Sequence, residues 1–420
     1  MIVTIYLPSY RKFFDNFFSI ISTQLIPSHS QKRSLLAVVA AGILQPFSTA
    51  QAHFLGDVVP SEDSQTTAVW DIVRSANFRF FNIEGQIFSS QNFTGYPASE
   101  NGGDNDYGNI GGGPFYDPIN AFRLAQYGFS LASHANNHAW DYGHEGAIAT
   151  SQYLNQAGIA VAGTGESLVE ARRVVVQERN NKRVSFIAVA GSHTPQSVAG
   201  SGGGSRNDQP RPGANVLRAP VAICVSAPDI EVINNLSQAQ GQLVSDKMTD
   251  ITLYTGQHPL GWSWWQLPND NETDAAVFSL HAHEADSSAD DSYIPLPLPA
   301  TVPVAYTRNI SHAAIDAGAD IVLIHGPHHL RGIEIYKGHP IFYSVSSLTY
   351  SLDLHFRGVD LPIECDDSLT NDTSVAESQL PKLAPRPESQ RILRHLQNVS
   401  RPFGTEILGE RDVGYVQLAK

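Results

Sequence analysis

The sequence has little cysteine, little positive charge and no apolar run long enough to cross a membrane. Its two cysteines, Cys224 and Cys365, allow at most one disulfide, which excludes a disulfide scaffold and a cysteine-rich zinc protein. Only 27 Lys and Arg stand against 41 Asp and Glu, so the formal net charge is -14 and nucleic acid is not an expected partner. Hydrophobic residues make up 42% of the chain, enough for a large core, so disorder along the whole chain is excluded.

The N-terminal segment is predicted to direct export. Basic residues within 31–33 precede an apolar run at 35–44 and a small-residue segment that ends at Ala52. This order is typical of a secretory signal peptide cleaved after Ala52, and the apolar run is too short to span a bilayer. We therefore expect residues 1–52 to be a leader and the mature chain to be secreted. The leader is unusually long, and an uncleaved anchor or a misassigned start would also account for it. Six N-x-S/T sequons agree with export of a glycoprotein: Asn92, Asn235, Asn271, Asn309, Asn371 and Asn398.

Strand patterns alternate with helical patterns through the rest of the chain, which predicts an α/β layered domain over residues 53–420. Strands are predicted at 78–83, 129–133, 183–190, 274–280, 320–324, 333–336, 340–345 and 413–418, and helices at 117–127, 145–156, 310–317 and 388–399. Gly-, Pro- and Asp-rich stretches predict loop insertions near 99–116, 198–216 and 284–303, and a polar excursion at 362–387.

Histidines cluster directly after three of the predicted strands. The clusters are His134 with His138, His281 with His283, and His325 with His328 and His329. Side chains at the carboxyl ends of strands face the usual ligand crevice of an α/β sheet, and Asp57 and Glu84 occupy comparable positions. Any single histidine is explained as a loop imidazole, but the three clusters together favour a metal site. Mixed nitrogen and oxygen ligands suit zinc, manganese or iron, and two such ions can activate water.

A tryptophan group precedes the second histidine cluster. Trp262, Trp264 and Trp265 predict either a stacking surface for a sugar or polymer, or part of the core. Neighbouring positions on a strand alternate between its two faces, so the three rings do not all point inward from one strand.

Several of these residues carry a resemblance to a known family. Residues 135–143 read A-N-N-H-A-W-D-Y-G, residues 82–85 read N-I-E-G, and residues 325–328 read H-G-P-H. They are similar to motifs of the capsule-synthesis CapA family, the poly-γ-glutamate biosynthesis proteins, of which A-N-N-H-x-x-D-x-G is the most specific. The resemblance covers about residues 53–351. It implies a layered α/β sandwich that is metallophosphatase-like, of the calcineurin-like phosphoesterase type.

The resemblance also implies roles for individual residues. The implied metal ligands are Asp57, Glu84, Asn137, His281 and His328, with His325 as a further ligand candidate. His138 is implied as an acid or anion stabiliser beside the reacting centre, with Asp141 orienting it. The cofactor would then be divalent metal ions, one or two of zinc, manganese or iron. Carboxylates and a neutral amide leave such ions electrophilic, and an imidazole can protonate a leaving group near neutral pH.

Two departures from the family pattern affect the expected function. Some members read G-H-H-P-H in the late motif, whereas this chain has H-G-P-H, with Gly326 between His325 and the proline. The usual S-L-G-N-F is replaced by S-V-S-S-L at 344–348. We expect a metal-dependent hydrolase that acts on a phosphoester or on a γ-glutamyl amide. The alternatives are a non-catalytic accessory protein for polymer synthesis or export, and a degenerate member used only as a fold. An anionic polymer partner would need bridging cations on this acidic chain.

Overall fold

The structure is a computed structural model. It describes residues 2–6, 17–21, 35–38, 64–76, 78–89, 91–94, 115–193, 197–200, 209–217, 273–283, 302–327, 329–345, 383–410 and 413–417. Several positions of the sequence analysis lie outside the described residues: Asp57, Cys224, Asn235, 262–265, Asn271, His328, 346–348, Cys365 and Asn371.

The described part of the chain is mixed α/β, which confirms the predicted class. Its helices are α1 (Ser64–Ser75), α2 (Ile119–Tyr127), α3 (Gly143–Gln156), α4 (Leu168–Ala171), α5 (Ala305–Asp316) and α6 (Arg386–Ser400). Its strands are β1 (Ile2–Tyr6), β2 (Phe17–Ile21), β3 (Leu35–Val38), β4 (Phe80–Asn82), β5 (Gln86–Ile87), β6 (Phe115–Tyr116), β7 (Leu131–Ser133), β8 (Ala160–Ala162), β9 (Thr164–Gly165), β10 (Val175–Arg179), β11 (Lys182–Ala190), β12 (Gly213–Ala214), β13 (Ala275–His281), β14 (Ile321–His325), β15 (Ile333–Tyr336), β16 (His339–Phe342), β17 (Ile407–Glu410) and β18 (Val413–Gln417).

Two sheets carry the residues of interest. The larger has the strand order β10-β11-β13-β14-β16-β15, and its central strands β11, β13, β14 and β16 run parallel to one another. The smaller has the order β4-β7-β8 and is wholly parallel. In a parallel sheet the carboxyl ends of all strands lie on the same side of the sheet, so residues that follow different strands meet there.

The central strands are apolar on both faces because both faces are covered. Val277 and Leu323 point into a core that also holds Phe80 of the smaller sheet. The ring of Phe80 lies 4.7 Å from the ring of Phe186 on β11, so the two sheets share this core. On the other face, Phe278 of β13 packs in the core that includes α5. Continuous apolar runs are typical of strands buried in this way.

A carboxylate joins α5 to the hairpin of β15 and β16. The Glu334 side chain accepts hydrogen bonds from Arg308 Nη2 and Nε at 2.9 and 3.2 Å, and from the Tyr343 hydroxyl at 2.6 Å. His312 Nε2 lies 3.1 Å from the same carboxylate. Burial alone would raise the pKa of Glu334, but the hydrogen bonds from Arg308, Tyr343 and His312 outweigh it and hold the pKa below its ordinary value. This network fixes the hairpin that continues from the loop after β14.

The ends of the chain pair in a third sheet. Its order is β17-β18-β2-β1-β3, and all of its strand pairs are antiparallel. Strands β1, β2 and β3 lie within the predicted leader, residues 1–52. No helix in the described ranges is both long and apolar enough to cross a bilayer.

Candidate metal centre

Polar side chains from both parallel sheets meet at the carboxyl ends of their strands. Glu84 follows β4 by two residues, His281 ends β13, and His325 ends β14. His281 and His325 are register partners across the parallel ladder, so their side chains leave the sheet on the same face. That face is turned toward the smaller sheet, because Phe80 of β4 lies 6.2 Å from the His325 ring. The strand-end placement expected from the sequence is therefore present for these residues.

Glu84 and His281 form a group with His283, two residues beyond His281, that has the chemistry of a metal site. One ligand atom each from Glu84, His281 and His283 lies within 4.8 Å of the others. His281 Nε2 is 2.9 Å from His283 Nε2, and each nitrogen is 3.8 Å from Glu84 Oε1. Glu84 and His281 are almost completely buried. A buried carboxylate beside two imidazoles is a ligand set that suits zinc or manganese.

The backbone of His283 is held from two sides. Its N–H donates to Ser192 Oγ at 3.0 Å, and its carbonyl accepts from Arg331 Nη2 at 3.0 Å. Gly326 packs against the ring, with a φ of 119°, and a Cβ there would lie 3.1 Å from His283 Cδ2. His283 belongs to the second histidine cluster but is not among the ligands that the family resemblance implied. Its spacing of two from His281 was the signal, because such residues face the same side of an extended chain.

Asn136 fastens the A-N-N-H loop to the segment that carries Glu84. Its side-chain amide donates to Asn82 Oδ1 at 3.1 Å and to the Ile83 carbonyl at 2.6 Å. Asn82 in turn donates to Glu84 Oε2 at 3.4 Å. The Asn136 side-chain oxygen accepts from the backbone N–H of His138 at 3.0 Å. The buried Asn136 side chain therefore connects Glu84, a ligand candidate, with His138, the predicted acid. The sequence alone does not indicate this role.

His138 and Asp141 form the pair that the resemblance implied. His138 Nδ1 lies 2.6 Å from Asp141 Oδ2, and both side chains are buried. A carboxylate only accepts hydrogen bonds, so the proton between them belongs to Nδ1. The Nε2 of a neutral His138 then carries the lone pair, and Asp141 stabilises the imidazolium form.

Asn137 offers an oxygen that no hydrogen bond in the described part of the chain satisfies. The residue is 5% exposed, and its Oδ1 is buried without a hydrogen-bond partner. A buried amide oxygen without a partner is unfavourable by about 1–3 kcal/mol, so a ligand for it is expected. A partnerless buried amide oxygen has the donor chemistry of a ligand for a divalent ion, as the family resemblance implied for Asn137. The other two implied ligands, Asp57 and His328, lie outside the described residues.

His325 contacts the ring of His281 on the side away from Glu84 and His283. Its Nδ1 lies 2.9 Å from His281 Nδ1, and its Nε2 lies 2.8 Å from Ser279 Oγ. Burial lowers the pKa of His325 to about 3, so the imidazole is neutral near pH 7. Both ring nitrogens are thus within hydrogen-bond distance of protein groups.

His134 is a further buried imidazole near the A-N-N-H loop. Burial lowers its pKa to about 4, and a hydrogen bond with the Gly85 backbone opposes part of this shift. Its Nδ1 lies 3.3 Å from Thr164 Oγ1. Among the described residues, the group with metal-site chemistry does not include this ring.

Comparison of the sequence with known proteins identifies a family. The model of the bacterial capsule synthesis protein PGA_cap matches residues 48–286 and 299–348. The uncharacterized protein y4sH of Sinorhizobium fredii is 28% identical over 446 aligned residues, with 87% of this chain and 92% of that protein covered. The probable polyglutamine synthesis accessory protein MT0602 of Mycobacterium tuberculosis is 30% identical over 213 residues, which are 50% of this chain and 42% of that protein.

A relative with an explicit capsule name is more distant. The capsule biosynthesis protein CapA of Bacillus anthracis is 24% identical over 228 residues, which cover 54% of this chain and 41% of that protein. The chain thus matches less than half the length of the relatives that are named for capsule or polyglutamine synthesis. The family match itself extends over well more than half of this chain and includes Glu84, the A-N-N-H loop and His281. The chain belongs to the bacterial capsule synthesis protein family PGA_cap.

Proposed function

We propose that the chain is a secreted, metal-dependent hydrolase of capsule-type polymer metabolism, which cleaves a phosphoester or a γ-glutamyl amide. The observation that carries the proposal is the group of Glu84, His281 and His283, whose ligand atoms lie within 4.8 Å of one another and of which Glu84 and His281 are buried. One carboxylate and two neutral imidazoles neutralise only part of the charge of a divalent ion, which stays electrophilic. Three protein ligands also leave a coordination position for water or substrate.

The family resemblance extends this ligand set. Asn137 is proposed as a ligand because its buried Oδ1 has no other partner among the described residues. Asp57 and His328 are proposed from their motifs alone and would provide for a second ion. When bound, such ions supply an activated water and stabilise charge at the attacked centre.

The pair of His138 and Asp141 supplies the proton-transfer group of the proposal. Asp141 Oδ2 lies 2.6 Å from His138 Nδ1 and accepts its N–H, which leaves Nε2 as the atom that exchanges a proton. An imidazolium stabilised in this way can protonate a leaving oxygen or nitrogen. The link through Asn136 ties His138 to the segment of Glu84, so that acid and ligand keep a fixed relation.

The architecture is consistent with a metallophosphatase-like sandwich, which we include in the proposal. The larger and smaller sheets share a core at Phe80 and Phe186, and their carboxyl ends bring Glu84 beside His281. Sites between two sheet edges of this kind can admit an extended polymer or a small phosphoester. Fold likeness by itself does not define the reaction, so the substrate class rests on the site and the family.

The charge of the chain favours a substrate site that contains cations. With a formal net charge of -14, the protein repels an anionic polymer unless positive charge is concentrated at the cleft. Bound divalent ions are the largest local charges in a site and would provide that attraction. The same argument applies to a phosphoester.

The first test is metal content by plasma mass spectrometry on protein purified without chelator or metal-affinity tag. Wild type is compared with Glu84→Gln and His283→Ala. The matched control is His339→Ala, because His339 is the first residue of β16 and lies at the amino ends of the parallel strands, away from the site at their carboxyl ends. We expect near-stoichiometric zinc, manganese or iron in wild type and control, and a loss in both site variants. Phosphoester and γ-glutamyl substrates are then screened with the loaded protein. Absence of bound metal, with none taken up on titration, would remove the hydrolase proposal.

A second function is favoured by one comparison. The Mycobacterium tuberculosis relative is named a probable polyglutamine synthesis accessory protein. By analogy, this chain would hold or deliver an anionic polymer without cleaving it. The two functions differ in outcome: metal-loaded wild type that binds poly-γ-glutamate but cleaves neither substrate class would support the accessory role.

A further inference from the structure

The chain of contacts behind the metal group assigns a role to His325 other than ligation. His281 and His325 are opposite one another on adjacent parallel strands, and both are almost completely buried. Their Nδ1 atoms are 2.9 Å apart, and His325 Nε2 is 2.8 Å from Ser279 Oγ. Ser279 is also fully buried, and it leaves β13 on the same face as His281.

The positions of the protons in the series of contacts from His281 through His325 to Ser279 follow from the hydrogen-bonding capacity of each group. A contact between two ring nitrogens needs one N–H, which one of the two imidazoles must supply. His281 Nε2 faces Glu84 and His283, so ligation requires a lone pair there and leaves the proton of His281 on Nδ1. His281 therefore donates and His325 Nδ1 accepts. A neutral His325 then carries its own proton on Nε2, which donates to the oxygen of Ser279.

We propose that His325 is a positioning residue, which accepts the Nδ1 proton of His281 and, with Ser279, holds His281 in the tautomer that presents Nε2 to the ion. This inference rests on the proposed metal centre, and it replaces the direct ligation that the family resemblance implied for His325. Metal-bound histidines generally donate their second N–H to a fixed acceptor, which sets ring orientation and basicity.

The nature of the acceptor has a chemical consequence. A carboxylate in this position would draw the proton strongly and make His281 a more electron-rich ligand. A neutral imidazole orients His281 without adding negative charge next to the site. The bound ion then keeps more of its Lewis acidity, in a group where Glu84 is the only carboxylate among its three members.

The test uses two substitutions of His325 and one of Ser279. His325→Asn keeps an acceptor oxygen near the position of Nδ1, whereas His325→Leu keeps the approximate volume without an acceptor. Ser279→Ala removes the oxygen that His325 Nε2 contacts. Zinc affinity is measured by chelator competition, and the number of bound imidazoles by X-ray absorption of the cobalt-loaded proteins, with His283→Ala as the reference for a lost ligand.

We expect His325→Leu to keep the wild-type imidazole number and to weaken zinc binding about 10- to 100-fold. His325→Asn should restore the affinity to within a few-fold of wild type, and Ser279→Ala should fall between the two. One imidazole fewer in the His325 variants, as in His283→Ala, would overturn the proposal in favour of ligation. Unchanged zinc affinity in His325→Leu would also overturn it.

A measurement without metal separates this inference from the hydrolase proposal. Nitrogen-15 spectra of histidine-labelled, metal-free protein report the tautomer of His281, which a His281→Gln variant assigns. We expect the Nδ1–H tautomer in wild type and its loss in His325→Leu. This result in a protein that takes up no metal would support the hydrogen-bonded chain and refute the metal centre. An Nε2–H tautomer in a protein that does bind zinc would refute the role of His325 alone.

Discussion

Replacement of Glu334 by glutamine tests the network that joins α5 to the hairpin after the site. Both carboxylate oxygens are used: Oε1 faces Arg308 Nη2 and His312, and Oε2 faces Arg308 Nε and Tyr343. Glutamine keeps only one acceptor. The Arg308 and His312 side chains are 45% and 24% exposed and can turn to water, whereas Tyr343 is buried. The amide should therefore keep its oxygen toward Tyr343 and lose the hydrogen bonds from Arg308 Nη2 and His312.

The expected loss is that of a charge-assisted hydrogen bond in a partly buried setting. Such bonds contribute about 1.5–3 kcal/mol, so Glu334→Gln should lower the free energy of unfolding by about 2 kcal/mol. The measurement is urea unfolding followed by tryptophan fluorescence at pH 7.5. Glu388→Gln is the matched control, because Glu388 also pairs with an arginine but lies on the surface of α6, where no measurable change is expected.

The pH dependence gives a second readout of the same variant. The pKa of Glu334 is lowered in the folded state, so its contribution is complete above the unfolded pKa of about 4.3 and is lost as the pH falls through the folded pKa. The difference in the free energy of unfolding between wild type and Glu334→Gln should therefore decrease as the pH falls below about 4. A variant as stable as wild type at pH 7.5, or a difference that persists undiminished at pH 3, would refute the reasoning.

Three further outcomes are expected. Export should be accompanied by cleavage after Ala52, so N-terminal sequencing of the secreted protein should begin at His53, and an intact leader would contradict this. Asp141→Asn should lower kcat/KM about 100-fold with folding unchanged, because an amide does not hold the Nδ1 proton of His138 or stabilise its imidazolium; a rate equal to wild type would exclude the pair from catalysis. The pKa of His134 is about 4, so its burial should reduce the free energy of unfolding by up to about 3 kcal/mol as the pH falls from about 6.5 to about 4. His134→Leu should flatten that decline relative to wild type, and an equal slope in both proteins would contradict the assignment.

The parallel strands were predictable because they are buried on both faces. Strands expected at 183–190 and 274–280 are observed at Lys182–Ala190 and Ala275–His281. Their apolar runs are continuous, and that pattern does not depend on register or on neighbouring loops. The strands predicted at 333–336 and 340–345 are observed as β15 and β16, which pair as a hairpin. Lys337 and Gly338, both with positive φ, form the tight turn between them.

Elements with a weak apolar pattern were missed. Strand β10 is largely polar because it lies at the edge of the larger sheet, so alternation did not reveal it. Its hairpin with β11 turns at Asn180 and Asn181, with φ values of 53° and 58°, and an Asn-Asn pair between extended segments was a usable signal. Helix α1 begins with Ser, Gln and two Thr, of which Ser and Thr are weak helix formers. Its inner face carries the buried Val69, Trp70 and Val73.

The site was predictable where it depends on strand ends and not where it depends on loop conformation. Glu84 and His281 follow buried strands, and the structure brings them together. The role of Asn136 depends on the turn that the A-N-N-H loop adopts, since its amide reaches backbone and side chain of a different segment. No spacing in the sequence encodes that contact. The same is true of Ser279, whose contact with His325 follows from the pairing of β13 and β14.

The placement of the ligand candidates on two different sheets couples metal occupancy to the folding of the whole site. Glu84 follows β4 of the smaller sheet, while His281 ends β13 of the larger one and His283 follows it. An ion bound by all three would connect the two sheets at the carboxyl ends of their strands, and its binding would stabilise the folded state of their shared core. At a free concentration 100 times its dissociation constant, such an ion would add about 2.7 kcal/mol. The melting temperature of this protein would then rise with the free concentration of the metal, and a chain without metal would be cleaved more readily by proteases.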